Sequence, residues 1–276
     1  MNQKSKLLLA GFLMASLAPA LSRAADYQAD AMAAWKARKT SEALEIISAG
    51  IKAEPKNSRL WHSRAQMRAL TGQRKEAISD LTEAILVDPN VAFLWQERAQ
   101  LRFKAGLFQE SVSDFDRAIL LRPEAAPHNW QRGIALYYAG RYDDGRRQFE
   151  QHQSVNPDDV ENAVWHFLCT SREFGIEEAR KRLMPIDGDS RVPMKEIHAL
   201  YAGKGTPADV IRVAESGSPE AKALRRQKFY AQLYLGLYYE ATGEADKARD
   251  AIRQAIDLAD PDDYMGDVAK VHPQRP

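Results

Sequence analysis

Apolar residues along the chain recur at the spacing of an α-helix. Around residue 80, Ala77, Ile78, Leu81, Ala84 and Ile85 follow one another at intervals of one and three residues. This spacing places their side chains on one side of a helix and leaves the polar residues between them on the other. The pattern predicts an all-α chain built from amphipathic helices.

Prolines divide these helical stretches at a constant interval. Pro55, Pro89, Pro123 and Pro157 are each 34 residues apart. Because a proline disfavours the helical conformation of the residue before it, each of them is expected to end a helix. Other columns share the interval: Trp61 and Trp95; Arg64, Arg98 and Arg132; Ala65, Ala99 and Gly133; Gly72, Gly106 and Gly140; Ala43, Ala77, Ser111 and Gly145; and Ile47, Leu81, Phe115 and Phe149.

These columns have physical roles in a pair of packed helices. The repeated glycines of the turn column are expected to end the first helix of each pair in a left-handed cap. Small residues such as Ala65 let two helices approach closely, and large ones such as Leu81 fill the space beside them. The first repeat is the weakest, because Arg38 takes the position of the turn glycine and Gly50 lies in a column of helix-interior alanines.

This arrangement resembles the tetratricopeptide repeat (TPR) family, whose unit is a helix–turn–helix of 34 residues. One such pair cannot bury its own apolar side, so stacked neighbours are expected to share one core. The predicted fold class is all-α, a TPR helix-turn-helix solenoid of about five to six repeat units, one or more of them degenerate.

The period blurs after Pro157 and returns near the end of the chain. Pro185 is expected to end a helix early, residues 186–193 to form a loop, and two short helices to follow near Met194–Ala202 and Pro207–Glu215. The expected organisation is a signal peptide at residues 1–24, TPR repeats 1–4 at 25–157, a degenerate repeat with short helices at 158–220, a C-terminal TPR at 221–261 and a flexible tail at 262–276.

The first residues have the pattern of a secretory signal. Lys4 and Lys6 form a positive start, residues 7–21 are mostly apolar, and cleavage is expected after Ala24. An uncleaved N-terminal anchor is the alternative. The only cysteine, Cys169, lies too far along the chain to carry a lipid at the cleavage point. The expected location is therefore periplasmic or secreted, without a lipid anchor.

Composition and motifs argue against several classes of function. A net charge of +1 gives no basic surplus for a nucleic-acid partner. The chain lacks the HExxH, GxSxG, GxxxxGK[ST] and GxGxxG motifs. Its histidines are scattered, and Asp187 with Asp189 is interpreted as a solvated turn rather than a calcium loop. We expect no enzyme activity, no cofactor, no metal and no small-molecule substrate.

Two further sets of residues have a structural and a chemical interpretation. Cys169, in the apolar segment WHFLC, is expected to be a buried thiol, with a reactive thiol as the alternative. Arg64 and Arg98 each precede an aspartate by 16 residues, Asp80 and Asp114. A structural ion pair between helices is the first interpretation and ligand binding is the second. The third arginine of this column departs from the pattern, since Gln148 follows Arg132 at this interval.

In the TPR family the first helix of each pair lines the concave face, so the resemblance implies a protein-binding site there. Its amide and aromatic side chains suit an extended peptide or a partner helix. Packing of Tyr137 and Tyr138 within the array is the open alternative. The implied residues are Arg59, His62 and Gln66; Phe93, Gln96, Gln100 and Phe103; and Trp130, Ile134, Tyr137 and Tyr138.

Three segments also resemble the NlpI-like envelope lipoproteins: RGIALYYAGR at 132–141, VNPDDVENAVWHFL at 155–168 and FYAQLYLGLYYEATGEADKA at 229–248. Known members of that family dimerise and bring peptidoglycan hydrolases and a protease together. The resemblance therefore implies an envelope adaptor whose partners are other proteins or peptides, with a homodimer as a further expectation. An assembly factor for an outer-membrane or pilus complex is the alternative, and an enzyme with an unfamiliar site is a third hypothesis.

Overall fold

The structure is a computed structural model that describes residues 18–217, 220–261 and 263–274. The positive start of the expected signal peptide and most of its apolar run lie outside the described residues. Within these ranges the chain forms fifteen α-helices and two short 3₁₀-helices, and no strand. The all-α helix–turn–helix class predicted from the sequence is confirmed. The chain divides into two compact units, residues 1–89 and 90–276.

The first unit contains two helix pairs. Its core is made of small and aliphatic residues, among them Ala31, Ala43, Ile47 and Leu60, all of which are fully buried. Its helices are α1 (Ala18–Lys36), α2 (Thr40–Ala53), α3 (Ser58–Leu70) and α4 (Arg74–Val87).

The second unit is built around one helix that is buried along most of its length, α9, in which residues 162–170 are all buried. Short 3₁₀-helices occur at Pro123–His128 and His272–Gln274. The helices of this unit are α5 (Ala92–Lys104), α6 (Phe108–Leu121), α7 (Trp130–Tyr138), α8 (Tyr142–Gln153), α9 (Val160–Phe174), α10 (Ile176–Lys181), α11 (Met194–Tyr201), α12 (Pro207–Ala214), α13 (Ala221–Ala241), α14 (Ala245–Leu258) and α15 (Tyr264–Val271).

Helix ends follow the repeated prolines and glycines. Helices α2, α4 and α6 stop just before Pro55, Pro89 and Pro123. The turn glycines adopt positive φ angles of 79°, 75° and 73° at residues 72, 106 and 140, which is the left-handed conformation expected of such caps. Arg38 takes the same turn at φ 60° without being a glycine.

The exceptional Gly50 has a packing reason. A Cβ atom at this position would lie 2.8 Å from the Cβ of Tyr27, closer than side chains approach one another. The same reason holds for Gly133, where a Cβ would lie 2.6 Å from the Phe149 ring. In both places a small residue on one helix makes room for an aromatic ring on its neighbour.

The degenerate region follows the sequence expectations closely. Helix α10 is short, the segment before Pro193 contains no helix, and α11 and α12 form where two short helices were expected. Cys169 is fully buried, and burial raises the pKa of its thiol well above the ordinary value. These surroundings support the interpretation of Cys169 as a buried structural thiol.

The expectation of a flexible tail at 262–276 is wrong for its central part. Residues 264–271 form α15, and Met265, Val268, Ala269 and Val271 on this helix are buried. Two aspartates of this segment, Asp263 and Asp267, have structural partners. Asp263 caps the helix by accepting a hydrogen bond from the backbone N–H of Met265 at 2.9 Å. Asp267 forms an ion pair with Lys104.

Candidate protein-binding faces

An ion pair joins the two helices in each of the second and third repeats. The Arg98 guanidinium binds the Asp114 carboxylate through two nitrogens, both at 2.8 Å, and both side chains are buried. The Arg64 guanidinium binds Asp80 in the same way at 2.9 and 2.7 Å. In both repeats the arginine and the aspartate 16 residues after it therefore form an ion pair between the two helices, as the structural interpretation expected.

A second arginine joins each pair, which the sequence reasoning missed. Arg68 and Arg102 lie one turn after the first arginines and bind the same aspartates, each at 2.7 Å. Their spacing of four residues on one helix is a signal that could have revealed them. In the fourth repeat Arg132 donates to the Gln148 side-chain oxygen at 3.0 Å and to Asp116 at 2.7 Å, so a neutral partner replaces the buried carboxylate.

The predicted binding face of the first unit lies on α3. The Asn57 side chain caps this helix by accepting a hydrogen bond from the Arg59 backbone N–H at 3.2 Å, and Gly72 ends the turn after it. Arg59 and Gln66 are exposed, and His62 is half-buried. The three side chains of this predicted set are therefore accessible to a partner in part or in full.

The predicted face of the second unit begins on α5. Phe93 is 49% exposed, a large value for a phenylalanine. Gln96 and Gln100 are half-buried, and the Gln100 side-chain amide donates to the Gln131 side-chain oxygen at 2.8 Å. These side chains combine an exposed ring with amide groups.

The remaining predicted residues do not form an open surface. Phe103, Ile134, Tyr137 and Tyr138 are no more than 5% exposed, so the alternative of packing within the array describes both tyrosines correctly. Trp130 is half-buried. Part of this face lies under α15: the Tyr264 ring stacks on Phe103 with 5.6 Å between the ring centroids.

We use the name inner face for the side-chain surface of the second unit against which α15 and the 3₁₀-helix after it lie. Tyr264 also meets the Trp130 ring edge-on at 5.1 Å between centroids. Farther along, the Tyr138 hydroxyl and the Nδ1 of His272 are 2.9 Å apart. The residues of the inner face are Phe103, Trp130, Ile134, Tyr138 and Trp165.

A cluster of charges that the sequence reasoning did not find lies beside the inner face. Arg191 binds three carboxylates, those of Asp159, Glu161 and Asp189, at 2.8, 2.5 and 2.6 Å. The Asp189 side chain is 4% exposed, so the interpretation as a solvated turn is wrong for this residue. Tyr234 donates its hydroxyl to Glu161 at 2.5 Å. Burial raises the pKa of Glu161 to about 7, although Arg191 opposes the shift.

This cluster borders a cavity of about 320 Å³. Its wall includes Trp130, Asn162, Trp165 and Tyr264. Among the residues that the structure describes, the Trp165 Nε1, the Asn162 Oδ1 and the Tyr264 hydroxyl are buried polar atoms without a hydrogen-bond partner. The covered inner face therefore retains unused hydrogen-bonding capacity.

In the described part of the chain, no three histidine, cysteine or carboxylate side chains come together as they would around a metal ion. Over the same residues, no helix has the length and apolar character needed to cross a membrane.

The geometry defines a class of protein: an all-α repeat protein made of helix–turn–helix units. A family model of the tetratricopeptide repeat matches residues 29–93 and 96–152, and a second model of this repeat matches residues 231–262. Together these matches cover more than half of the 276 residues. The chain belongs to the tetratricopeptide repeat family.

Solved structures show the same fold. A tetratricopeptide repeat protein from Parabacteroides merdae is 16% identical, with a TM-score of 0.58 over 90% of this chain and 98% of that one. The MamA protein is 18% identical, with a TM-score of 0.52 over 57% of this chain and 86% of its own. MamA from Desulfovibrio magneticus RS-1 is 13% identical, with a TM-score of 0.51 over 57% and 89%. At these identities the likeness concerns the fold alone. No curated protein matches the chain.

Proposed function

We propose that this protein is a non-catalytic scaffold that binds other proteins or peptides through the first helices of its repeats. The observation that carries this proposal is the presence of tetratricopeptide repeats whose first helices keep polar and aromatic side chains exposed. In the first unit these are Arg59 and Gln66, and in the second unit the exposed ring is Phe93. Stacked repeats of this kind provide extended surfaces for partners.

The proposed setting is the cell envelope. The pattern of residues 1–24 supports export, and the absence of a cysteine near residue 24 supports a form without a lipid anchor. The resemblance to the NlpI-like lipoproteins supports an adaptor that recruits peptidoglycan hydrolases or a protease, and a homodimer. The location, the dimer and these partners are parts of the proposal that partner identification tests.

The test is capture of partners by the full chain, expressed with residues 1–24 intact and cross-linked in the envelope fraction. We expect Phe93→Ala combined with Gln96→Ala to reduce recovery of the captured partners at least tenfold, because it removes an exposed ring and an amide from α5. Phe103→Ala is unsuitable for this purpose, since Phe103 is fully buried and its loss would act on stability.

Leu120→Ala provides the matched control. Leu120 is 67% exposed and lies on α6, the second helix of the pair. The substitution therefore removes an exposed apolar side chain outside the proposed face. Equal capture by the double variant and this control would contradict the proposed face. Recovery of outer-membrane or pilus components in place of cell-wall enzymes would favour the assembly-factor alternative. Recovery of the chain from the cytoplasm alone would contradict the envelope setting.

A further inference from the structure

We infer that α15 is a displaceable occupant of the inner face, and that the inner face takes in its place a partner helix carrying an aromatic residue followed by an acidic residue one turn later. This inference rests on the proposed function, because it names the kind of partner segment that such a scaffold would bind. The observations behind it are the contacts that Tyr264 and Asp267 of α15 make with the inner face and with Lys104.

The first feature is a slot for an aromatic ring. Tyr264, at the start of α15, stacks on Phe103 with an angle of 17° between the rings, and it meets Trp130 edge-on at 86°. Offset stacking and edge-to-face contact are the favoured arrangements of aromatic rings. Phe103 belongs to α5 and Trp130 to α7, so the ring of the occupant joins two repeats.

The second feature is a positive charge placed for an acidic side chain. The Lys104 ammonium lies 2.8 Å from the Asp267 carboxylate, and the Asp267 side chain is 10% exposed. Tyr264 and Asp267 are three residues apart and therefore share one side of α15. Lys104 follows Phe103 directly in α5, so the slot and the charge are adjacent.

The third feature is that α15 fits the inner face imperfectly. Trp165 and Asn162 on α9 leave a buried donor and a buried acceptor without partners, and the Tyr264 hydroxyl is likewise buried and unpaired, all three within the described residues. These residues line the cavity of about 320 Å³ that Met265 also borders. A buried polar atom without a partner costs free energy. A partner segment that offers polar groups here would recover part of that cost.

The connection to α14 explains why α15 would still occupy the inner face in the absence of a partner. Only residues 259–263 separate the two helices. A short tether gives the attached segment an effective concentration on the order of millimolar at its site. A free partner must therefore compete with α15, and weakening one α15 contact should raise the apparent affinity for such a partner.

A charge exchange tests the inference with the full-length chain. The probes are two fluorescent peptides of residues 259–276, one with the natural sequence and one with Asp267→Lys. In the Lys104→Glu protein, α15 meets a repelling glutamate, whereas the Asp267→Lys peptide meets an attractive one. We expect fluorescence anisotropy to show at least tenfold tighter binding of the Asp267→Lys peptide than of the natural peptide to this variant, and no such preference by the unaltered protein.

Two controls make the result specific. Lys195→Glu makes the same charge change at an exposed lysine on α11. Like the unaltered protein, this variant should show no tenfold preference for the Asp267→Lys peptide. An Asp267→Lys peptide that also carries Tyr264→Ala should lose most of its binding, because it cannot fill the aromatic slot. Retained binding by that peptide would contradict the slot.

The inference is overturned if the Lys104→Glu protein keeps its helical circular dichroism and binds both peptides equally. It is also overturned if this single change unfolds the protein, since α15 would then be a required part of the core. Hydrogen exchange on the unaltered protein gives an independent readout: α15 amides should exchange faster than those of α9. Equal exchange in the two helices contradicts displacement. None of these measurements depends on Phe93 or Gln96, so they remain separate from the capture test.

Discussion

At the scale of single residues, most departures from the repeat pattern have a local physical cause. Gly50 makes room for Tyr27, and Gly133 makes room for Phe149. Gln148 replaces a buried carboxylate and uses its amide group to donate to the Ala126 carbonyl at 2.7 Å. Arg38 is different, because it takes a backbone conformation that favours glycine and it is not a glycine.

Replacement of Arg38 with glycine should stabilise the protein. Arg38 has φ 60°, and the left-handed conformation costs a residue with a Cβ about 1 kcal/mol relative to glycine. We expect Arg38→Gly to raise the free energy of unfolding by about 1 kcal/mol in urea titration. Gly72→Ala, which introduces a Cβ at φ 79°, should lower it. An unchanged or lower midpoint for Arg38→Gly would show that the arginine side chain offsets the backbone cost.

Glu161 should make stability depend on pH. Its pKa is about 7 in the folded protein and 4.5 in its ordinary state, because burial disfavours the charged form. Between these values the folded protein holds a proton that the unfolded chain releases, so the contribution of Glu161 to stability falls as pH rises from 4.5 to 7. The loss is at most about 3 kcal/mol, given the free energy that corresponds to one pKa unit.

Thermal unfolding at pH 5 and pH 8 measures this effect. The unaltered protein should lose more stability on going to pH 8 than Glu161→Gln, which has no carboxyl group to titrate there. Glu177→Gln is the control, because the Glu177 side chain is 80% exposed. Parallel pH profiles for the unaltered protein and Glu161→Gln would rule out this contribution.

At the scale of elements, two kinds of contact hold the helices of a pair together: buried ion pairs, and small residues packed against large ones. The Arg98–Asp114 pair connects α5 to α6, and Arg102 adds a second charge to the same carboxylate. A buried ion pair adds little net stability compared with well-packed apolar residues in its place, because both charges lose their hydration. The loss of one partner is nevertheless severe, because it leaves buried charge without compensation.

Asp114→Ala should therefore lower the free energy of unfolding by about 3–5 kcal/mol, as measured by chemical denaturation. The buried guanidinium of Arg98 would lose both of its hydrogen bonds to Asp114. Asp116→Ala is the matched control: this aspartate lies on the same helix, also binds arginine, and is 40% exposed. Its loss should cost less than about 1 kcal/mol. Similar costs for the two variants would contradict a special role of burial.

At the scale of the whole molecule, the chain combines a regular repeat up to Pro157 with a less regular helical region after it. The chain forms two compact units, residues 1–89 and 90–276, each with its own set of internal contacts. The match to the Parabacteroides merdae protein covers 90% of this chain at only 16% identity. A few repeated small, large and glycine positions suffice for such a fold, because each repeat needs only to pack on its neighbours.

The sequence by itself determined the repeat length, the ends of the helices and the ion-pair spacing. These are local or nearest-neighbour properties: a proline or glycine acts on the adjacent backbone, and Arg98 reaches Asp114 within one helix pair. The exposed positions Arg59, Gln66 and Phe93 belong to the set that the resemblance to the TPR family implied.

The tertiary structure alone decided which part of the predicted face is covered. Tyr138 meets His272, which is 134 residues away along the chain, and Phe103 meets Tyr264. Helical periodicity tells which side of a helix is apolar, and it does not tell which distant segment will pack there. Asp263 and Asp267 lie in the segment that was expected to be a flexible tail, and their partners, a helix N-terminus and Lys104, are set by folding. For that reason the inner face and its occupant became visible only in three dimensions.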